Sequence, residues 1–233
     1  MTKSTLQLNV FACLLLALAC SASAATYTNV PSGANTGLPF ISFGNASNPS
    51  SDSPKVGEVF SLTSAATLSS FSFYAIGNTT ASMQLNVAQW NPDTNAKNQA
   101  INSVGAALLT TGSAVEAYDS TGGFTTLSFS NLGLSLSADT KYIAYLTSND
   151  PLLTGIQLSR TQTTQDASGF GLGNGYLSTI PGNGWQLPFS GNGFLSLEYT
   201  AETTAIPESS TYAAIISALA FGFVAIRRKR KQA

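Results

Sequence analysis

Few side chains in this 233-residue sequence could make or break bonds, and their types decide which reactions are open. There is no histidine, and the two cysteines, Cys13 and Cys20, both stand within the first twenty residues. Beyond that point no Ser-His-Asp or Cys-His nucleophile can be assembled. Zinc sites built on His or Cys are excluded for the same reason. A pair of carboxylates, one protonated and one ionised, could still hydrolyse a glycosidic bond. The ten acidic residues between Ala25 and Ile206 are spread singly, however, mainly beside Gly, Asn, Ser and Thr, which reads as solvated turn chemistry. No two of them stand out as acid and base. No catalytic residue and no metal site is therefore assigned, and no cofactor is implied.

Three weaker signals remain. "GFGLGNG", Gly169 to Gly175, has glycine at every second place, unlike G-x-G-x-x-G, and lacks a nearby Lys and a following helix. It reads as a flexible loop. "NPDTN", Asn91 to Asn95, offers Asp93 and Asn95 as oxygen donors for calcium, but two side chains are a thin ligand set, and a plain turn is the simpler reading. Trp90 and Trp185, the only tryptophans, could stack on sugar rings if exposed or pack in a core if not. Trp90 ends an alternating stretch on the face opposite Met83, Leu85 and Val87, which leaves a surface role open.

The elements that must carry these residues read as strands. Residues 30–56 are rich in Pro, Gly, Asn and Ser, with one short strand expected at Phe40–Phe43. Period-two alternation then appears in Met83, Leu85 and Val87, in Leu127 and Phe129, and in Leu195, Leu197 and Tyr199. Leu68–Ile76, Ala106–Thr111, Tyr142–Thr147, Gly155–Leu158 and Tyr176–Thr179 are further candidates, and Tyr142–Leu146 is apolar enough for a central strand. Many short strands between polar turns predict an all-β fold, an antiparallel, jelly-roll-like β-sandwich, with a closed barrel as the alternative. Three units opening with Gly-Asn-Gly at Gly173, Gly182 and Gly191 repeat every nine residues. They predict hairpin turns with Tyr176, Trp185 and Phe194 packed over the sheet, or else an aromatic binding surface.

The two ends differ from this middle. Lys3, the apolar run Val10–Ala19 and Ala22-Ser23-Ala24 have the layout of a secretory signal peptide, residues 1–24, cut after Ala24. Cys20 loosely resembles a lipoprotein cleavage site, although Ala17 stands where Leu is usual. Cleavage after Ala24 leaves a body, residues 25–205, without cysteine, so it must be held by buried apolar surface alone. From Ala25 to Ile206 there are four basic and ten acidic residues, a formal charge of −6. Nucleic acid and anionic lipid, which demand clustered Lys and Arg, are poor partners for such a surface.

At the far end, Ile206-Pro207-Glu208 is followed by the apolar run Thr211–Ile226 and the basic cluster Arg227, Arg228, Lys229, Arg230 and Lys231. Sixteen helical residues reach about 24 Å at ~1.5 Å each, a short span of a hydrocarbon core about 30 Å thick. The arginines can snorkel, and the basic cluster should stay cytoplasmic. The expected topology is a single-pass membrane protein with its body exported through the Sec translocon, its signal removed by signal peptidase, and its C-terminus inside.

In this order of parts, residues 206–233 resemble the PEP-CTERM sorting domain of Gram-negative bacteria. Ile206-Pro207-Glu208 and Ser210-Thr211-Tyr212-Ala213 are similar to that family's opening, usually Val/Ile-Pro-Glu-Pro-Ser-Thr, with Ser209 here in place of the second proline. The resemblance implies recognition by an exosortase, a membrane cysteine transpeptidase that would cut near Pro-Glu and release or attach the body. It also implies a link with extracellular polysaccharide and biofilm. "LSSFSFYAIG", "LNVAQWNP", "GAALLTTG" and "LSLSADTKYIAYLTS" look like the sandwich ectodomains that often precede such a tail.

Three functions follow as expectations. The first is a non-enzymatic cell-surface or extracellular-matrix protein, in the inner membrane at least transiently and then sorted outward. The second is a displayed glycan-binding module using Trp90 or Trp185. The third is a polysaccharide-degrading enzyme using carboxylates.

Overall fold

The computed structural model describes residues 23–28, 30, 38–43, 52–76, 81–90, 93–94, 99–101, 104–111, 114–116, 124–149, 156–161, 170–178, 185–186, 196–206, 216–217, 220–224 and 227. The chain divides into two compact units, Met1–Ala24 with Ala205–Ala233, and Ala25–Thr204. In chain order the strands are β1 (Ala24–Thr28), β2 (Leu38–Phe43), β3 (Asp52–Ser53), β4 (Lys55–Leu62), β5 (Ala66–Ile76) and β6 (Ala81–Trp90). Next come β7 (Asp93–Thr94), β8 (Gln99–Ile101), β9 (Val104–Thr110), β10 (Ala114–Glu116), β11 (Thr125–Leu136) and β12 (Lys141–Thr147). The last are β13 (Ile156–Thr161), β14 (Phe170–Ser178), β15 (Trp185–Gln186), β16 (Ser196–Leu197) and β17 (Tyr199–Ala205).

These strands form two sheets. One runs β1-β17-β5-β13-β2-β3, with β11 along β5 and β16 on β13; the other runs β10-β6-β12-β4-β14-β15-β8-β7, with β9 on β6. The described registers are antiparallel except that of β2 with β3. Both sheets feed one core: Leu68, Phe71, Phe73, Leu127 and Tyr199 from the first meet Val56, Phe60, Met83, Leu85 and Leu146 from the second. The rings of Phe60 and Phe71 lie 5.7 Å apart, and Phe71 stacks on Tyr199 at 5.3 Å. Aromatic pairing of this kind adds to the apolar burial that a disulfide-free body depends on. Two layers sharing a core make a sandwich.

The alternating stretches lie where the sequence predicts. Met83, Leu85, Val87 and Leu127 are fully buried, and Phe129 is buried. Tyr142–Leu146 runs between β4 and β6, buried throughout, as a central strand must be. Two readings are corrected. Phe170–Gly175, read as part of a loop, is the first two-thirds of β14 and pairs with β4. The Gly-Asn-Gly at 173–175 is not a hairpin turn; the register shifts between Leu172 and Gly175, so the glycines permit an irregularity inside the strand. The Gly-Asn-Gly units at 182 and 191, Leu195 and Phe194 lie outside the described residues.

A second irregularity joins β5 to β11. Between Ser130 and Leu134 the register shifts, with Asn131 at φ 58° and Gly133 at φ 62°. Asn and Gly are the residues that tolerate this left-handed backbone. The core-facing set of β11 changes phase there, from Leu127 and Phe129 to Leu132 and Leu136. Among the described residues, no helix is long and apolar enough to cross a membrane.

Candidate functional site

Glu58 is positioned by β4, a central strand held between β12 and β14, where it lies opposite Ala144 and Gly175. Its neighbours two places away, Val56 and Phe60, belong to the shared core, whereas Val59 belongs to a second cluster on the opposite face. The carboxylate thus points inward, and Glu58 is 0 % exposed. Its Oε2 accepts the backbone N–H of Leu197 at 2.8 Å. Leu197 is on β16 of the other sheet, so one side chain ties the two layers. A hydrogen bond from a backbone N–H offsets part of the desolvation that burying a carboxyl group costs. The strand is packed closely enough that a Cβ on Gly57 would stand 2.6 Å from Cβ of Tyr145.

Glu198 follows Leu197 directly, joining β16 to β17, and is 2 % exposed. Its Oε2 accepts the Ser159 hydroxyl at 2.5 Å, and its N–H donates to the Ser159 carbonyl at 2.9 Å. Burial raises the pKa of its carboxyl, and the bond from Ser159 pulls the other way. Two acidic residues read as solvated are therefore sealed. Alternation placed Glu198 in water because Leu197 and Tyr199 face the core; the opposite face is covered here as well.

A carboxyl biased toward its neutral form and a second buried carboxyl have the composition of a glycosidase pair. Their burial denies that chemistry a substrate, because a glycosidic oxygen must touch the proton donor. In this arrangement the two glutamates hold strands together. No group of three or more His, Cys, Asp or Glu is placed to bind a metal ion among the described residues.

Trp90 is on the face predicted for it, opposite Met83, Leu85 and Val87, but that face is not open. Trp90 is 3 % exposed, clustered with Val59, Ala88, Ile143 and Tyr145. Of the two readings left open for Trp90, sugar stacking or packing, its burial supports packing: it sits in a second apolar layer on the outer side of its sheet. Trp185 begins β15 and pairs with Ala100 of β8; its side chain lies outside the described residues. Asp93 and Thr94 of the suspected calcium turn form β7, paired with β8; Asn91 and Asn95 lie outside the described residues.

The two ends of the body meet at one sheet edge. Ala205 donates its N–H to the carbonyl of Ser23 at 3.1 Å. At the other end of the same strand pair, the hydroxyl of Thr28 donates to the carbonyl of Tyr199 at 2.9 Å. β1 and β17 are therefore antiparallel neighbours. Ile206, first residue of the expected sorting motif, comes directly after β17 and is exposed. In the tail, Ile216, Phe221, Phe223 and Val224 are helical and exposed, and Arg227 is exposed beyond them. Residues 1–22, Pro207, Glu208, Arg228, Lys229, Arg230, Lys231 and residues 211–215, 218–219 and 225–226 of the expected helix lie outside the described residues.

No protein-family model matches the chain, and no curated protein matches it. Among solved structures it is similar to the cysteine protease and lectin-like domains of Cwp84, a surface layer associated protein of Clostridium difficile, at 16 % identity and a TM-score of 0.40. That likeness covers 67 % of this chain and 33 % of the other, so the chain spans about a third of the length of the protein it resembles.

Proposed function

We propose that the chain is a non-enzymatic cell-surface or extracellular-matrix protein whose jelly-roll-like β-sandwich is exported by a signal peptide and sorted through its tail by an exosortase-type transpeptidase. The observation that carries this reading is the order of parts after β17. The sandwich ends at Ala205, and the Ile206-Pro207-Glu208 motif, apolar run and cluster Arg227–Lys231 follow without a linker. Four large apolar side chains of that run are exposed on a helix, which suits a segment destined for lipid. Arg227 and its neighbours would then stay on the cytoplasmic side. The non-enzymatic reading is supported by the sealing of Glu58 and Glu198 and by a body free of His and Cys.

The test is made in a host that has an exosortase. Pro207→Ala and deletion of residues 227–231 are each expected to leave an unprocessed chain in the inner membrane. Processing and location unchanged in both variants would refute the reading.

A further inference from the structure

We propose that the open outer face of the first sheet, where β17 lies between β1 and β5, binds a neutral, extended polysaccharide. The inference goes beyond the sorting reading, because it concerns what the body itself holds. The strands stand in the order β1-β17-β5, and β11 lies along the other side of β5. Their inward residues, such as Phe71, Leu127 and Tyr199, fill the core. Their outward residues carry hydroxyls in a row: Thr28 on β1, Thr200 on β17, Tyr74 and Ser72 on β5, and Ser128 on β11. Three strand gaps of ~4.8 Å make that row about 14 Å long. Thr28, Ser128 and Glu202 are exposed. On the outer face of the second sheet, by contrast, Trp90 and Ile143 are buried.

The hydrogen bonds fix where the protons of this row point. Thr28 donates its hydroxyl to the carbonyl of Tyr199 at 2.9 Å and accepts the N–H of Val30 at 3.1 Å. It also accepts the hydroxyl of Thr200 at 3.0 Å. Thr200 has thereby spent its proton, so Tyr74, 2.9 Å away, is the donor between those two. The Tyr74 side chain starts on β5 and ends at β17, which lays its ring across the face. Its proton is spent as well, and its oxygen offers lone pairs to whatever approaches. Two places along β17 from Thr200, about 7 Å away on the same face, Glu202 adds a carboxylate. The result is an array of acceptors beside a ring. It suits a ligand rich in hydroxyl donors, and sugars supply these together with C–H surfaces that pack on a ring. Glu202 is the one charged side chain on the four strands, and the body carries a formal charge of −6. A carboxylated or sulfated chain is therefore repelled, and a neutral one is not.

The experiment runs the natively expressed protein, in mild detergent, through native gels containing one of two polysaccharides. Hydroxyethylcellulose is a neutral β-linked glucan; alginate is an extended chain with a carboxylate on each sugar. Retardation by the first and none by the second is expected. Glu202→Ala, at an exposed position, should weaken the affinity read from retardation about tenfold, as loss of hydrogen bonds to a charged group does. Tyr74→Phe keeps the ring, removes the acceptor oxygen and should weaken it about fivefold. Thermal unfolding checks that each variant is folded. A wild-type chain that hydroxyethylcellulose does not retard overturns the inference, and so does equal retardation by alginate. Unaltered affinity in Glu202→Ala, whose exposed side chain is not needed by the core, overturns it too. A chain that binds the glucan yet is never processed at its tail refutes the sorting reading alone.

Discussion

The carboxylate of Glu58, on β4 of one sheet, accepts the backbone N–H of Leu197, on β16 of the other, at 2.8 Å. Leu197 in turn leads into Glu198, whose carboxyl is closed by Ser159 on the neighbouring strand β13. A body without disulfides thus has, beside its aromatic core, a buried polar tie between its layers. Polar ties of this kind are costly to leave half-made, which makes them sensitive places to test the fold.

Glu58→Ala should destabilise the sandwich by roughly 2–3 kcal/mol, because the N–H of Leu197 loses its acceptor in the core. Glu58→Gln keeps an acceptor oxygen and should cost less than half as much. Urea unfolding at neutral pH measures both. An alanine variant as stable as wild type would show that the tie contributes nothing.

Glu198 should make stability depend on pH. Its pKa is raised in the folded state by burial, so its contribution is fully present below the unfolded carboxyl range. That contribution fades as pH rises through the raised value. Glu198→Gln is therefore expected to flatten the fall in stability from acid toward neutral pH. Ser159→Ala, which removes the opposing bond, should steepen it. Identical pH profiles for all three proteins, by thermal unfolding, would contradict the assignment.

Gly57→Ala should cost about 1–3 kcal/mol, the usual range for overpacking. The added Cβ meets Cβ of Tyr145 at 2.6 Å and the carbonyl of Ala144 at 2.7 Å, and neither can move without shifting a central strand. Chemical denaturation provides the check.

Trp90 should be shielded. In a Trp185→Phe protein, the remaining fluorescence should be quenched weakly by acrylamide and unaffected by added polysaccharide. Strong quenching, or a shift on adding glycan, would return Trp90 to the surface.

These residues also show what the sequence could and could not reveal. Alternation in Met83, Leu85 and Val87 and the apolar run at Tyr142–Leu146 reported which residues face the core, because period two is a property of the strand itself. It did not report which of two sheets each strand joins, since that is set by partners far along the chain. β4 escaped notice because Gly57 and Glu58 interrupt its apolar pattern; a close approach to Tyr145 demands the first, and a tie to Leu197 uses the second. Phe170–Gly175 looked like a loop because glycine has little strand preference of its own; pairing with β4 supplies what propensity lacks. Trp90 and Glu198 were placed on the correct side of their strands. What alternation could not tell was that the far side is covered too. The adjacency of Ser23 and Ala205 joins residues from opposite ends of the chain and leaves no local trace.

Mass spectrometry of the natively expressed protein, intact and after peptide mapping, tests the central claim most directly. The account predicts a mature chain that begins at Ala25, ends near Pro207-Glu208, and contains no peptide from the apolar run or the cluster Arg227–Lys231. A surface-located chain that retains its residues from Met1 through Ala233 would contradict it.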